Sequence, residues 1–251
     1  MNIVVQNLSK EFITPSGEPL EAIRDASFEV RDREFLCLLG PSGCGKSTTL
    51  NIIAGLETPS SGRVLIGNIP LAEALATAKI GYIFQQPRLL NWRTTEGNVL
   101  FPLEALSGVT EEQRNIARKC LELVDLKGFE KVYPLQLSGG MQQRVAIARA
   151  LAIDPDVLLM DEPFSNLDEI TSRKLRKELL RIWEQEKKTV LFVTHDVSEA
   201  VFLADRIVLM TRRPATVCKT ISVKVPRPRN YENVELFNLE KEIMLDFYKL
   251  T

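Results

Sequence analysis

Nine consecutive residues near the start of the chain have the composition of a phosphate-binding loop. The first eight fit the spacing G-x-x-x-x-G-K-[ST]. Glycines at these positions let the backbone turn its N–H groups toward phosphate oxygens, while Lys46 reaches the β- and γ-phosphates and the Ser47 hydroxyl ligates Mg²⁺. The run is therefore predicted to bind a nucleotide through Gly40, Pro41, Ser42, Gly43, Cys44, Gly45, Lys46, Ser47 and Thr48.

The residues on either side of this loop have the patterns of a strand and a helix. Phe35 to Leu39 is a run of five apolar residues typical of a buried strand, and residues 47–54 are predicted to be helical. The N-terminus of a helix favours an anion, because its first backbone N–H groups have no partner within the helix. This context supports a phosphate site over a plain glycine turn.

Polar side chains also follow three other predicted strands. In open parallel sheets ligands bind at the carboxyl ends of the strands, so these side chains are expected to converge. Asp161, after the apolar run 157–160, is interpreted as a carboxylate that holds Mg²⁺, and Glu162 as a general base. Gln85 is a candidate for positioning water or metal. His195, the single histidine, is a candidate γ-phosphate donor, although a structural or surface role stays open for it.

Between residues 89 and 151 the pattern changes to helices. Residues 110–113 form a capping box that opens an amphipathic helix. Ser138, Gly139 and Gly140 then precede a second helix and form another candidate anion site, for which a plain helix cap is the alternative.

The order of these elements predicts the fold class. Strands alternate with helices, which indicates an α/β protein with a mostly parallel sheet. A turn-rich connection at residues 14–19 indicates an additional antiparallel β layer, and the stretch 89–151 a helical insert.

Composition limits the functional classes. The chain has 251 residues with 32 Lys+Arg against 33 Asp+Glu, so its net charge of -1 gives no general attraction to nucleic acid or anionic lipid. The longest apolar runs are shorter than the roughly 18 residues of a membrane span, and no signal-peptide pattern is found, so a soluble intracellular protein is expected. Cys37, Cys120 and Cys218 lie in apolar patterns and are expected to be buried, whereas Cys44 is the candidate for an accessible thiol.

Taken in order, these motifs resemble those of the ATP-binding cassette (ABC) family over nearly the whole chain. Residues 40–47 resemble its Walker A motif, and residues 157–162 its Walker B motif with the catalytic glutamate. Residues 137–141 resemble its LSGGQ signature, with Met141 in place of glutamine. The remaining matches are the Q-loop residue Gln85, the D-loop at 165–168, the switch histidine His195 and the adenine-stacking aromatic Phe12.

The resemblance implies a P-loop NTPase fold and hydrolysis of ATP with Mg²⁺. Residues 1–220 would form the ABC ATPase domain, with a helical subdomain at about 88–155, and residues 221–251 a C-terminal tail with a terminal helix. The implied catalytic residues are Glu162, His195 and Gln85, and the implied metal ligands are Ser47, Gln85 and Asp161.

The resemblance also implies partners. Two copies would pair head to tail, so that Ser138, Gly139 and Gly140 of one copy complete the ATP site of the other. A separate permease in the membrane, served by a solute-binding protein, would place the chain at the cytoplasmic face. Residues 89–94, 213–215 and 225–229 resemble segments of nitrate/sulfonate/taurine importers.

Two other classes of function compete with a transport ATPase. The first is a soluble ABC ATPase that acts on nucleic acid or ribosomes, but the chain has neither long coiled coils nor a basic excess. The second is an unrelated phosphate-loop enzyme such as a GTPase or kinase. The chain has no Asn-Lys-x-Asp motif for guanine, and residues 137–140 would then stay unexplained.

Overall fold

The computed structural model describes residues 1–249, which form two compact units. One unit combines residues 1–78 with residues 188–249, and the other comprises residues 79–187. The strands are β1 Ile3–Ile13, β2 Pro19–Val30, β3 Phe35–Leu39, β4 Ser61–Ile66, β5 Ile69–Pro70, β6 Ile80–Ile83, β7 Val157–Asp161, β8 Thr189–Thr194, β9 Arg206–Met210 and β10 Val217–Ser222. The helices are α1 Lys46–Ile53, α2 Leu71–Thr77, α3 Thr95–Ser107, α4 Glu111–Leu123, α5 Gly139–Ala152, α6 Glu169–Glu186, α7 Val197–Leu203 and α8 Val234–Tyr248.

The first unit contains the antiparallel sheet that the turn-rich segment predicted. Its strand order is β2-β1-β4-β5. β1 and β2 form a long hairpin in which Phe12 pairs with Leu20. The connection is closed by hydrogen bonds from the Thr14 N–H to the Glu18 oxygen (2.9 Å) and from the Gly17 N–H to the Thr14 oxygen (2.8 Å).

The same unit contains the strand that leads into the phosphate loop. β3 lies between β8 and β9 and is parallel to both, while β10 pairs antiparallel with β9. All five side chains of β3 are buried, as the continuous apolar run predicted. Leu39, the last residue of β3, pairs with Thr194, the last residue of β8. The carboxyl ends of the two strands are therefore adjacent.

The Pro-Arg-Pro-Arg segment at residues 226–229 closes the C-terminal end of α7. The last turn of a helix leaves carbonyl oxygens without partners, and a cation satisfies them well. The buried Arg229 guanidinium donates to the oxygens of Val201 (3.0 Å), Phe202 (3.0 Å) and Ala204 (2.8 Å). Arg227 donates to the Leu203 oxygen and pairs with Asp205.

Replacement of Arg229 by methionine is expected to lower the free energy of unfolding by about 2–3 kcal/mol, because it leaves buried carbonyls unpaired. The exposed Arg212 provides a matched control: Arg212→Met is expected to be nearly neutral. Urea unfolding followed by circular dichroism would measure both changes. Equal stability of the two variants would show that Arg229 does not hold α7.

The second unit contains a short parallel sheet and the inserted helices. β6 and β7 are parallel, with Ile83 beside Met160. Thr110 and Gln113 form both hydrogen bonds of the predicted capping box at the start of α4. The predicted α/β class with an antiparallel β layer and a helical insert is confirmed, and the predicted domain boundaries stay a prediction. Within residues 1–249, no helix combines the length and apolar character needed to cross a membrane.

Candidate functional site

The phosphate loop has a backbone conformation that favours glycine at two positions. Gly43 and Gly45 have φ angles of 73° and 120°. A β-carbon on Gly45 would lie 3.0 Å from the Ala22 oxygen and 3.1 Å from Ile23 Cγ1, so β2 also leaves no room for a side chain. Gly45 caps α1 and has no side chain to accept from the first N–H groups of that helix, whose N-terminus favours an anion.

Lys46 holds its ammonium group within the loop. The residue is only 3% exposed, and Nζ donates to the carbonyl oxygens of Gly40 (2.8 Å) and Pro41 (2.9 Å). A cation at this position adds a full positive charge to the partial charges of the N–H groups. The combination fits the phosphates of a nucleotide.

His195 lies at the next strand end, beside the loop. It follows Thr194, which pairs with the last residue of β3, and its side chain is exposed. Asp196 then caps α7 by accepting from the backbone N–H groups of Ser198 (2.7 Å) and Glu199 (3.3 Å). The parallel register therefore brings His195 and the phosphate loop together, as the strand-end argument predicted.

Phe12 belongs to the same unit as the phosphate loop. Its ring is half-buried near the end of β1, with the Lys10 ammonium 4.8 Å from the ring centroid. Phe12 pairs with Leu20 of β2, and Ala22 and Ile23 of the same strand lie beside Gly45. This position suits a contact with the base of a nucleotide bound to the loop.

Arg213 contacts the phosphate loop and was not identified as a site residue from the sequence. Its guanidinium donates to the Gly43 oxygen at 2.7 Å. The two residues are 170 positions apart, so no local pattern connects them. The sequence signalled Arg213 only as part of a segment similar to nitrate/sulfonate/taurine importers.

Replacement of Arg213 by alanine is expected to raise the dissociation constant for ATP about three- to tenfold, because a charge-assisted hydrogen bond that orients the loop is lost. Arg213→Lys should recover part of the affinity. Titration with a fluorescent ATP analogue would measure the dissociation constant. Arg212 is exposed, so Arg212→Ala is the control. Unchanged affinity in Arg213→Ala would mean that the contact does not shape the loop.

The second unit brings together Gln85, Asp161 and Glu162. Gln85 follows β6, Asp161 ends β7, and the two strands are in register at Ile83 and Met160. The Gln85 side chain donates to the Ser165 hydroxyl (3.1 Å), which in turn donates to the Glu162 backbone oxygen (3.0 Å). The predicted convergence of these three residues is therefore present within this unit.

Glu162 occupies an unusual backbone conformation. Its φ angle is 41°, which is uncommon for a residue with a β-carbon and costs of order 1 kcal/mol or more. The Ser165 N–H and hydroxyl both donate to its carbonyl oxygen, at 3.2 and 3.0 Å. These bonds fix the turn that follows β7.

The segment at residues 138–140 begins α5 in the same unit. Ser138 caps the helix by accepting from the Met141 N–H at 3.3 Å. The other end of α5 is fixed near Gln85 by Arg149, which donates to the Pro87 oxygen at 2.7 Å. Eleven residues of helix separate Ser138 from Arg149, or roughly 16 Å at 1.5 Å per residue. Ser138 and Arg149 therefore lie at opposite ends of α5.

Two expectations about cysteines are wrong, and a third residue, Cys120, is only half-buried where burial was expected. Cys44 is buried rather than accessible, because its sulfur lies under the loop close to where a β-carbon of Gly40 would sit. Cys218 is exposed rather than buried, and it lies on β10, an edge strand whose side chains are mostly exposed. Burial raises the pKa of the Cys120 thiol to about 11 and raises that of Cys37 well above its usual value.

The three residues that the resemblance implies as metal ligands have side chains that suit Mg²⁺. Ser47 offers a hydroxyl, Gln85 an amide oxygen and Asp161 a carboxylate, which are the donor types of a hard cation. Within residues 1–249, no group of three His, Cys, Asp or Glu side chains is arranged to hold a metal.

Comparison with known proteins gives consistent matches. Residues 23–165 match the sequence profile of the family described as ABC transporter. The chain is 46% identical to a nitrate import ATP-binding protein of Synechococcus elongatus, over 90% of this chain and 83% of the relative. It is 40% identical to an aliphatic sulfonates import ATP-binding protein of Bacillus cereus, over 98% of this chain and 96% of the relative.

A solved structure shares the fold. It is a dimeric ATP-binding cassette in a post-hydrolysis state with bound ADP and Pi, and it is 36% identical to this chain. The TM-score is 0.78, over 89% of this chain and all of the solved one.

Proposed function

Since the chain belongs to the ABC transporter family and is an ATPase of the P-loop NTPase fold, we propose that it drives import of a small solute through a separate permease. The contact that carries the proposal is the buried Lys46 ammonium on the Gly40 and Pro41 oxygens, inside a loop that leads into the N-terminus of α1. Such a loop binds the phosphates of ATP. The proposed cassette domain is residues 1–220, including a helical subdomain at about 88–155, and is followed by a tail at 221–251.

In the proposed mechanism, residues of the phosphate loop bind and orient ATP. Lys46 and the N–H groups of the loop hold the phosphates, Arg213 fixes the loop, and Phe12 contacts adenine. Ser47, Gln85 and Asp161 would hold Mg²⁺, which neutralises charge on the phosphates when bound.

Glu162 and His195 act on the reacting groups. The Glu162 carboxylate accepts the proton of the water that attacks the γ-phosphorus, as the bond from that phosphorus to the β,γ-bridging oxygen breaks. His195 donates a hydrogen bond to the γ-phosphate, where negative charge is concentrated.

We assign the segment at residues 138–140 to the ATP site of a second copy. The solved dimeric cassette that shares this fold and holds ADP and Pi supports this assignment. A side chain would also collide at Gly140, where a β-carbon would lie 2.8 Å from Thr171 Cγ2. A glycine there leaves the backbone N–H groups accessible to a phosphate from outside the chain. Two copies thus pair head to tail around two ATP molecules.

A groove in the second unit is the proposed docking surface for the permease. It has a volume of about 280 Å³ and is lined by residues that include Tyr82, Phe84, Leu90 and Phe101. Residues 86–93 border it and include Trp92, which is 76% exposed. An exposed aromatic residue beside an apolar groove is typical of a protein interface.

The similarity to importers of nitrate and aliphatic sulfonates supports a small anion or sulfonate as the transported solute. The permease would hold this peripheral subunit at the cytoplasmic face of the membrane and receive solute from a binding protein.

Light scattering of the Glu162→Gln variant tests the proposed function. With ATP and Mg²⁺ its mass is expected to double, because binding is retained while hydrolysis, which would separate the copies, is blocked. The double variant Glu162→Gln/Ser138→Ala provides the control, and a smaller fraction of it should form the species of doubled mass. A constant mass at saturating ATP would contradict nucleotide-driven pairing.

A further inference from the structure

The terminal helix α8 has an exposed apolar stripe that the proposed chemistry does not use. Its inner side is anchored by the buried Leu236 and Ile243. Four large side chains point outward with 58–70% of their surface exposed: Val234, Phe237, Leu245 and Tyr248. They offer roughly 400–500 Å² of apolar surface, a patch size that often marks an interaction site on soluble proteins.

The spacing of the stripe is symmetric about Lys241. Val234 and Phe237 precede Lys241 by seven and four residues, and Leu245 and Tyr248 follow it by four and seven. These offsets place all five residues on one face of an α-helix. A symmetric stripe matches itself when two copies of the helix cross antiparallel about a two-fold axis at Lys241.

The same antiparallel pairing matches polar groups on one flank of the stripe. With 3.6 residues per turn, Glu235, Asn238, Glu242 and Lys249 project to this flank. Glu235 then lies opposite the partner's Lys249, and Asn238 opposite the partner's Glu242. An anionic membrane is a poor alternative occupant, because α8 carries four acidic residues and one basic residue.

We propose that α8 is an interface between two copies of this chain, which pair antiparallel through this stripe. The contact is separate from the nucleotide-dependent pairing and needs no ATP. Two stripes would bury about 1,000 Å² in total, the lower limit for a specific interface. The α8 contact is therefore weak by itself, and it raises the effective concentration of the two copies for any second contact between them.

Cysteine crosslinking tests the position of the axis. In a Cys218→Ser background, which removes the exposed native thiol, Lys241→Cys should form a covalent dimer on mild oxidation without nucleotide. Two copies of residue 241 would meet at the axis, within the Cα separation of about 4.4–6.8 Å that a disulfide needs. Glu235→Cys is the matched control, because two copies of residue 235 would be about 18 Å apart along the helices. Lys241→Cys should therefore crosslink at least tenfold faster.

A second pair of variants avoids introduced cysteines. Sedimentation equilibrium of the nucleotide-free protein should show weaker self-association in Phe237→Glu, by tenfold or more in the dissociation constant. Lys241→Leu should strengthen the self-association. The substitution removes the two like charges that would meet at the axis and makes the centre of the stripe apolar. Both residues are exposed, so circular dichroism should show an unchanged fold.

The crosslinking should be measured at 100 μM protein, because a weak contact is expected to have a dissociation constant of about 10⁻⁴ M. Equal crosslinking of Lys241→Cys and Glu235→Cys would overturn the α8 interface. No crosslinking of either variant would overturn it as well. Mass doubling of Glu162→Gln with ATP is measured separately. Doubling without α8 crosslinking would refute only the α8 interface, and crosslinking without doubling would refute only nucleotide-driven pairing.

Discussion

Glu162→Gln is expected to lower the rate of ATP hydrolysis at saturating ATP by about 10²- to 10⁴-fold, the range for loss of a general base. Glutamine keeps the size of the side chain but cannot accept the proton of the attacking water. The Ser165 bonds to the Glu162 oxygen at 3.2 and 3.0 Å involve the backbone, so the turn is expected to remain. Release of phosphate by the purified protein would measure the rate.

Glu112 provides the matched control for this substitution. It is an exposed glutamate on α4 of the same unit, so Glu112→Gln is expected to retain the full rate. Binding of a fluorescent ATP analogue should be nearly unchanged in both variants, which would separate a catalytic defect from a binding defect. Retention of more than half of the activity by Glu162→Gln would remove Glu162 from the proposed mechanism.

Lys46→Ala is expected to weaken ATP binding by about 100-fold, which corresponds to about 2.7 kcal/mol. The substitution removes a cation from the loop and leaves the oxygens of Gly40 and Pro41 without the bonds of 2.8 and 2.9 Å. Loss of a charged hydrogen-bond donor accounts for an effect of this size. Isothermal titration with ATP and Mg²⁺ would measure the dissociation constant.

Lys119→Ala is the control for charge, because Lys119 is exposed on α4 and belongs to the other unit. It should bind ATP as the unchanged protein does. Lys46→Arg keeps the charge but not the shape, and is expected to recover little affinity. If Lys46→Ala kept its affinity while remaining folded, the assignment of residues 40–48 as the phosphate site would fail.

The sequence alone determined the parts of the site that depend on local backbone chemistry. Gly43 and Gly45 have the positive φ angles that their positions in the loop require. The five-residue apolar run forms β3, and Thr110 forms the predicted capping box. Each of these depends on residues within a few positions of one another, which is the range over which steric limits and helix caps act.

Only the tertiary structure decided which distant groups meet at the site. Arg213 reaches the Gly43 oxygen across 170 residues, and Arg229 caps α7 across as many as 28. Local patterns cannot encode such contacts, because they depend on strand order and on the path of the chain between the two residues. Burial has the same origin. Cys44 is buried and Cys218 is exposed. The tertiary packing around each side chain determines this difference, and the apolarity of the neighbouring residues in the sequence does not.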